Sequence, residues 1–147
     1  MRIHKIKENQ IETVVEIAVN ILGQSATDTR SYICDTIKMK NGAVFIAEND
    51  YNVLGFIRGT FTSWNKIGNI GLIATVKEAR GKNVGKSLMI AFEKWARKNG
   101  VRKIYVDTNE NNKTAQIFYI KCGYVPESYM KDYYKNGLAG INFAKYL

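Results

Sequence analysis

The chain is short of the residues that metal and hydrolase chemistry need. Its 147 residues include one histidine, His4, and two cysteines, Cys34 and Cys122, that lie far apart without a C-x-x-C pair. Neither a zinc site nor a Ser-His or Cys-His catalytic pair can be assembled from them. They read instead as buried thiols and a surface histidine, and no metal is expected. A single proline, Pro126, and the absence of repeats or low-complexity stretches leave no linker, so residues 1–147 read as one domain. Long apolar runs are missing too: "IETVVEIAVNIL" is broken by Glu12 and Glu16, which excludes a membrane span or a signal-peptide core and gives a cytoplasmic expectation. Acidic residues are in deficit, 13 against 22 lysines and arginines, for a net charge of +9. That balance suits nucleic acid, an anionic cofactor or an anionic substrate. The basic residues are spread along the whole chain with no nucleic-acid motif, so nucleic acid is not an expected partner.

What is present is a regular alternation of elements. "RIHKI" alternates like a short strand. "ENQIETVVEIAVNIL" then carries Ile11, Val14, Val15, Ile17, Ala18, Ile21 and Leu22 at helical spacing up to Gly23. A second helix is expected over "ATDTRSYICDTIKMKNG", capped by Thr27 or Asp28, with Ile33 and Ile37 on its inner face and Asn41-Gly42 as its stop. "AVFIAE", "VLGFIRGTFTSW" and "NIGLIATV" are β-rich runs joined by polar turns, an antiparallel meander. From Val84 to Asn99 the residues Val84, Leu88, Ala91, Phe92 and Trp95 form one helical face ended by Gly100. "KIYVDT" is a strand, "NKTAQIFYIKC" a helix ended by Gly123, and "GYVPES" and "LAGINFAKYL" are strand material. The order β-α-α-β-β-β-α-β-α-β-β argues a single-domain α+β fold with a mixed, mostly antiparallel sheet.

Between the third meander strand and its helix lies "ATVKEARGKNVGKSLM", where glycines, lysines and a serine crowd together as if to hold phosphate. "GKNVGKS" falls one residue short of the P-loop spacing, because three residues rather than four separate Gly81 from Gly85. A turn opening onto a helix N-terminus offers unpaired N–H groups and a favourable dipole to a pyrophosphate without that spacing.

"VKEARGKNVG" resembles the acetyl-CoA loop of the GCN5-related N-acetyltransferases (GNAT), whose signature is Q/R-x-x-G-x-G/A after a strand. Arg80 fills its first position and Gly85 its last, while Asn83 stands where the family's first glycine sits. Asparagine is among the non-glycine residues most tolerant of φ > 0, so the departure is physically mild. A second signature, N-x-x-A-x-x-hydrophobic-Y-x-x-x-G-F/Y, is matched downstream at Asn112, Ala115, Phe118, Tyr119, Gly123 and Tyr124.

The resemblance implies a sheet splayed between the strand ending at Val76 and the strand Lys103 to Thr108, with acetyl-CoA as cosubstrate lying in the gap. Backbone groups around Ala74 and Val76 would bond its pantetheine amides. The N–H groups of Lys82, Asn83, Val84, Gly85, Lys86 and Ser87, beside Gly81, would hold its pyrophosphate, with charge from Arg80 and Lys86. Asn112, one turn before Ala115, would bond the pantetheine, and Tyr119 would protonate the departing thiolate. Each assignment has a plainer reading beside it: a solvated loop for the cations, an N-cap for Asn112, a core aromatic for Tyr119. "EKWARKNGVRK" reads as a solvated helix face, and "KDYYKNG" as an aromatic hairpin whose tyrosines pack or line the acceptor pocket.

The implied activity is acetyl transfer to a primary amine by direct attack. "NIGLIATV" lacks the glutamate that many family members carry, which leaves Asp107, Glu110 or water as the base. The loop and the second signature are similar to the aminosugar branch typified by TDP-fucosamine acetyltransferase, favouring a small amine or aminosugar acceptor. The tail is similar to ribosomal-protein alanine acetyltransferases, with Leu138 and Ala139 in place of their acidic residue, so a protein N-terminus stands as the alternative. A non-catalytic CoA- or nucleic-acid-binding module is the reading of another class. A homodimer is compatible with all of these.

Overall fold

The computed structural model describes residues 1–147. Its order follows the sequence expectation: β1 (Arg2–Lys5), α1 (Ile11–Leu22), α2 (Ala26–Lys38), β2 (Gly42–Glu48), β3 (Val53–Thr62), β4 (Ile67–Thr75), α3 (Val84–Lys98), β5 (Lys103–Asn109), α4 (Lys113–Lys121), β6 (Val125–Met130) and β7 (Gly140–Tyr146). One seven-stranded sheet runs β1-β2-β3-β4-β5-β7-β6, and every neighbouring pair is antiparallel except β4–β5. Helices α1 and α2 cover one face over a core of Val14, Ile33, Ile46 and Phe56. The other face carries α3 and α4 over Ile57, Leu88, Phe92, Ile104 and Phe143. No helix is long and apolar enough to cross a membrane.

Several local expectations change. Helix α2 is capped by Ser25, whose Oγ accepts from the Asp28 N–H at 3.3 Å, so Thr27 and Asp28 lie inside the first turn. Its inner face is Thr29, Ile33 and Thr36, leaving Ile37 exposed, and it stops at Lys38 because Met39 is already extended. Gly42 opens β2 instead of ending the helix. The two thiols are half-buried, and His4 is held at 3.0 Å from Glu48. On α3 the supposedly solvated Glu93 is 5% exposed at its side chain. Lys145 of β7 reaches both of its carboxylate oxygens at 2.9 Å and the Cys122 carbonyl at the same distance. A carboxylate can stay in the core there because a cation meets it.

Candidate active site

Strands β4 and β5 are paired only over Ile67–Ile70 and Lys103–Val106. Beyond those four rungs each strand continues on its outer partner: β4 on β3 up to Thr75, β5 on β7 up to Asn109. Two strand edges therefore face one another with their ladder hydrogen bonds unmade. Such edges accept an extended ligand as they would accept a strand.

The phase of the ladder decides which groups face the gap. Val76 N–H donates to the Leu54 carbonyl at 3.0 Å. Bonded and non-bonded pairs alternate along an antiparallel ladder, so Ala74 and Leu72 also spend their backbone groups on β3, while Ile73 and Thr75 turn theirs to the gap. The Val76 carbonyl accepts from Ala79 N–H as well. The expectation that Ala74 and Val76 face the ligand is thereby corrected by one residue. Parity, not composition, sets it. On the other edge, Leu147 N–H donates to Arg102 and Glu110 N–H to Ala139, which by the same alternation points the Asp107 backbone into the gap. At the mouth a β-bulge leaves Gly71 without a partner residue, since Arg58 faces Leu72 and Gly59 faces Ile70.

Residues Arg80 to Asn83 form an exposed turn after a single turn of 3-10 helix, Lys77–Ala79. Gly81 and Asn83 both take left-handed backbone, φ 74° and 60°, so asparagine adopts the conformation its tolerance of φ > 0 allows. The first bond of α3 runs from Ser87 N–H to the Asn83 carbonyl at 3.0 Å, leaving the amides of Val84, Gly85 and Lys86 ahead of the ladder. Ser87 itself is committed, and Lys82 N–H reaches the Ala79 carbonyl at 3.4 Å. Arg80, Lys82 and Lys86 are exposed, and none is ion-paired. Gly85 has a packing role: a Cβ there would stand 3.1 Å from the Phe118 ring.

Asn112 caps α4, its side-chain oxygen accepting from Ala115 N–H at 3.1 Å, which leaves its amide NH₂ available. Half-buried Ala115 packs against the core. Tyr119 is 6% exposed, its ring against Phe118, Tyr124 and Phe143. Burial, reinforced by the charge of Asp107, pushes its phenol well above the ordinary value. It thus remains a protonated donor at physiological pH.

On the α1/α2 face, Asp107 accepts from the Tyr134 hydroxyl at 2.6 Å. The sequence left Tyr133 and Tyr134 undecided; their rings meet edge-on at 5.0 Å, and Tyr134 joins the site. Glu110 is spent differently, accepting from Ala139 N–H at 3.0 Å as a tether for the loop before β7. Arg58 of β3, which sequence reading passed over as an ordinary strand residue, lies across Gly71 at the mouth of the gap.

The profile of the acetyltransferase (GNAT) family matches residues 11–124. Streptothricin acetyltransferase of Escherichia coli is 33% identical over 95 residues, 65% of this chain but 54% of that protein, so the chain spans about half of that relative's length. A Bacillus anthracis structure assigned as a streptothricin acetyltransferase, in complex with acetyl coenzyme A, superposes with TM-score 0.71 at 28% identity, covering 78% of this chain and 67% of that one. Ard1 of Thermoplasma volcanium superposes over 99% of this chain and 97% of its own with TM-score 0.85 at 24% identity, a likeness of fold. With the family profile spanning most of a chain whose sheet parts beside a loop of free amides, this protein belongs to the GNAT acetyltransferase family, whose cosubstrate is acetyl-CoA.

Proposed function

We propose that residues 1–147 act as one N-acetyltransferase domain that moves acetyl from acetyl-CoA to a primary amine by direct attack, the acceptor being a small amine or aminosugar. The observation that carries this is the parting of β4 and β5 after Ile70 and Val106, with Asp107 the first residue of β5 beyond the shared rungs, Tyr119 near enough to feel its charge, and the open amides of the Asn83 turn beyond the end of β4. Ile73 and Thr75 bond the pantetheine amides in place of a missing strand, and the Asn112 side-chain amide adds one donor. The amides of Asn83, Val84, Gly85 and Lys86 meet the pyrophosphate at the positive end of α3, with Arg80, Lys82 and Lys86 supplying charge.

The chemistry divides between the two sides of the gap. Asp107 takes the proton of the attacking amine at the oxygen that Tyr134 leaves free. Tyr119 donates a hydrogen bond to the sulfur as negative charge develops there. Complete transfer of its proton is opposed by the burial that keeps the phenol protonated, so stabilising the thiolate by hydrogen bonding comes first. A protein N-terminus is the second acceptor reading, supported by 29% identity over 79 residues, 54% of this chain and 53% of that protein, to N-alpha-acetyltransferase 30 of Schizosaccharomyces pombe.

Calorimetry and thermal shift test the donor half. Acetyl-CoA should bind and raise Tm, whereas ATP with Mg²⁺ should do neither. Equal stabilisation by ATP would overturn the reading. Release of CoA thiol across aminosugars, polyamines, amino acids and N-terminal peptides tests the acceptor half, and preference for peptides would replace the small amine.

A further inference from the structure

Arg58 is the one half-buried cation of the α1/α2 face that has no anion to meet. Its Nε donates to Thr36 Oγ1 at 2.7 Å, and its Cζ stands 5.4 Å from the centre of the Tyr32 ring. Nη1 and Nη2, which carry four N–H donors, have no protein acceptor. Asp35 is the carboxylate whose charge it feels, yet the two form no salt bridge. Burial pulls the guanidinium below its ordinary value, although an arginine stays charged regardless. Neither terminal nitrogen is among the buried polar atoms without a partner, so both reach solvent and stay open to an incoming anion.

Its position is specific. The side chain crosses β4 at Gly71, where a Cβ would fall 2.7 Å from Nη1. A side chain at the bulge would meet the guanidinium and require it to shift. Gly71 lies where β4 leaves β5, and Asp107 is the first residue of β5 beyond the last shared rung. The mouth of the gap therefore has a cation with free donors on one lip and a carboxylate on the other.

We infer that Arg58 anchors an anionic group of the acceptor, so that the substrate is an amine carrying a carboxylate or a phosphate a few bonds from the nitrogen that is acetylated. The inference rests on the acetyltransferase reading and specifies its acceptor. The amine lies towards Asp107, and the anion takes paired hydrogen bonds from Nη1 and Nη2, the geometry in which a guanidinium is strongest. Acceptors whose second group is a cation meet repulsion at the same lip.

The test uses matched acceptors with purified full chain. Glycine, β-alanine, L-methionine and L-glutamate are each compared with the corresponding primary amide, and glucosamine 6-phosphate with glucosamine, by release of CoA thiol. The anionic member should lead in at least one pair by roughly 10- to 100-fold in kcat/KM, the scale of a charge-assisted bidentate contact. Which pair leads separates carboxylate from phosphate. In Arg58→Gln that lead should shrink to within about threefold, while the KM for acetyl-CoA holds. The wild-type comparison stands even if the variant folds poorly. Neutral members that match or beat the anionic ones in every pair overturn the anchor, as does turnover of no anionic member while acetyl-CoA still binds. Persistence of the lead in Arg58→Gln overturns it as well. Failure of the wild-type chain to bind acetyl-CoA by calorimetry sinks the acetyltransferase reading, a distinct result.

Discussion

The two sides of the gap are built from different materials. The side proposed for the acetyl donor is mostly backbone: Ile73 and Thr75 on an open edge, the Asn83 turn, and the first amides of α3. The side proposed for the acceptor is made of side chains, with Arg58 from β3, Asp107 from β5 and Tyr134 from the loop before β7. Backbone groups survive most substitutions, so the donor side tolerates drift such as asparagine at position 83. Side-chain groups do not, and the acceptor side can be respecified one residue at a time.

The sharpest way to break this comparison is Tyr119→Phe, because Tyr119 is the donor-side side chain assigned to the departing sulfur. Its kcat should fall by roughly 10²- to 10⁴-fold with acetyl-CoA affinity nearly unchanged. A loss under about threefold, or roughly 0.7 kcal/mol of barrier, would return it to the core aromatics it touches. Asp107→Asn should lower kcat by about 10²-fold near neutral pH. Glu110→Gln should instead leave kcat within about threefold and lower Tm, because its carboxylate holds the Ala139 amide. The reverse pattern would exchange their roles. Gly85→Val probes the backbone side: its branched side chain meets Phe118, so stability should drop by about 1–3 kcal/mol and acetyl-CoA binding should weaken with it. Restoration of both in a Gly85→Val, Phe118→Ala double variant would locate the damage in packing. Asn83→Gly should bind acetyl-CoA as well as the wild type or up to about threefold tighter by calorimetry, since glycine takes the same left-handed turn freely. Weaker binding would mean that the asparagine side chain itself touches the cosubstrate.

The smallest effect concerns pH and lies outside the gap. Glu127 accepts from Lys103 Nζ at 2.8 Å and from the Tyr105 hydroxyl at 2.6 Å, and the Lys103 bond holds its carboxyl below the ordinary 4.5. A carboxyl depressed in the folded state contributes stability above its unfolded value, and that contribution is lost as pH falls through the folded one. Glu127→Gln should therefore lower Tm at pH 7 and converge with the wild type as pH falls below about 4. A difference that persists in acid would be packing, not charge.

Legibility followed the same division. The order of elements, the Asn112 cap and the left-handed Asn83 turn depend on neighbours within a few residues, and periodicity and turn chemistry expose such dependence. The one-residue error at Ala74 and Val76 has a different origin. Which edge a backbone group faces depends on hydrogen-bond phase relative to β3, and that phase has no local signature. Asp107 and Glu110 are both acidic residues at the end of one strand, and only Tyr134 and Ala139, brought back by the β6–β7 turn, tell them apart. Arg58 drew no notice because an arginine in a strand ordinarily reaches solvent, and Gly71, which lets it cross inward, follows it by thirteen residues in the chain. Glu93 was misjudged for the same reason, its partner Lys145 arriving from the last strand.

That last pair has a mechanical meaning. Helix α3 rides on β2, β3 and β4, whereas Lys145 belongs to the half-sheet of β5, β7 and β6. The bond between Glu93 and Lys145 therefore spans the two arms of the fork on the side away from the acceptor, like the spring of a clothes-peg. Lys145 stands opposite Ile104, on rungs where β4 and β5 are still joined, so the bond fastens the root of the fork rather than its tips.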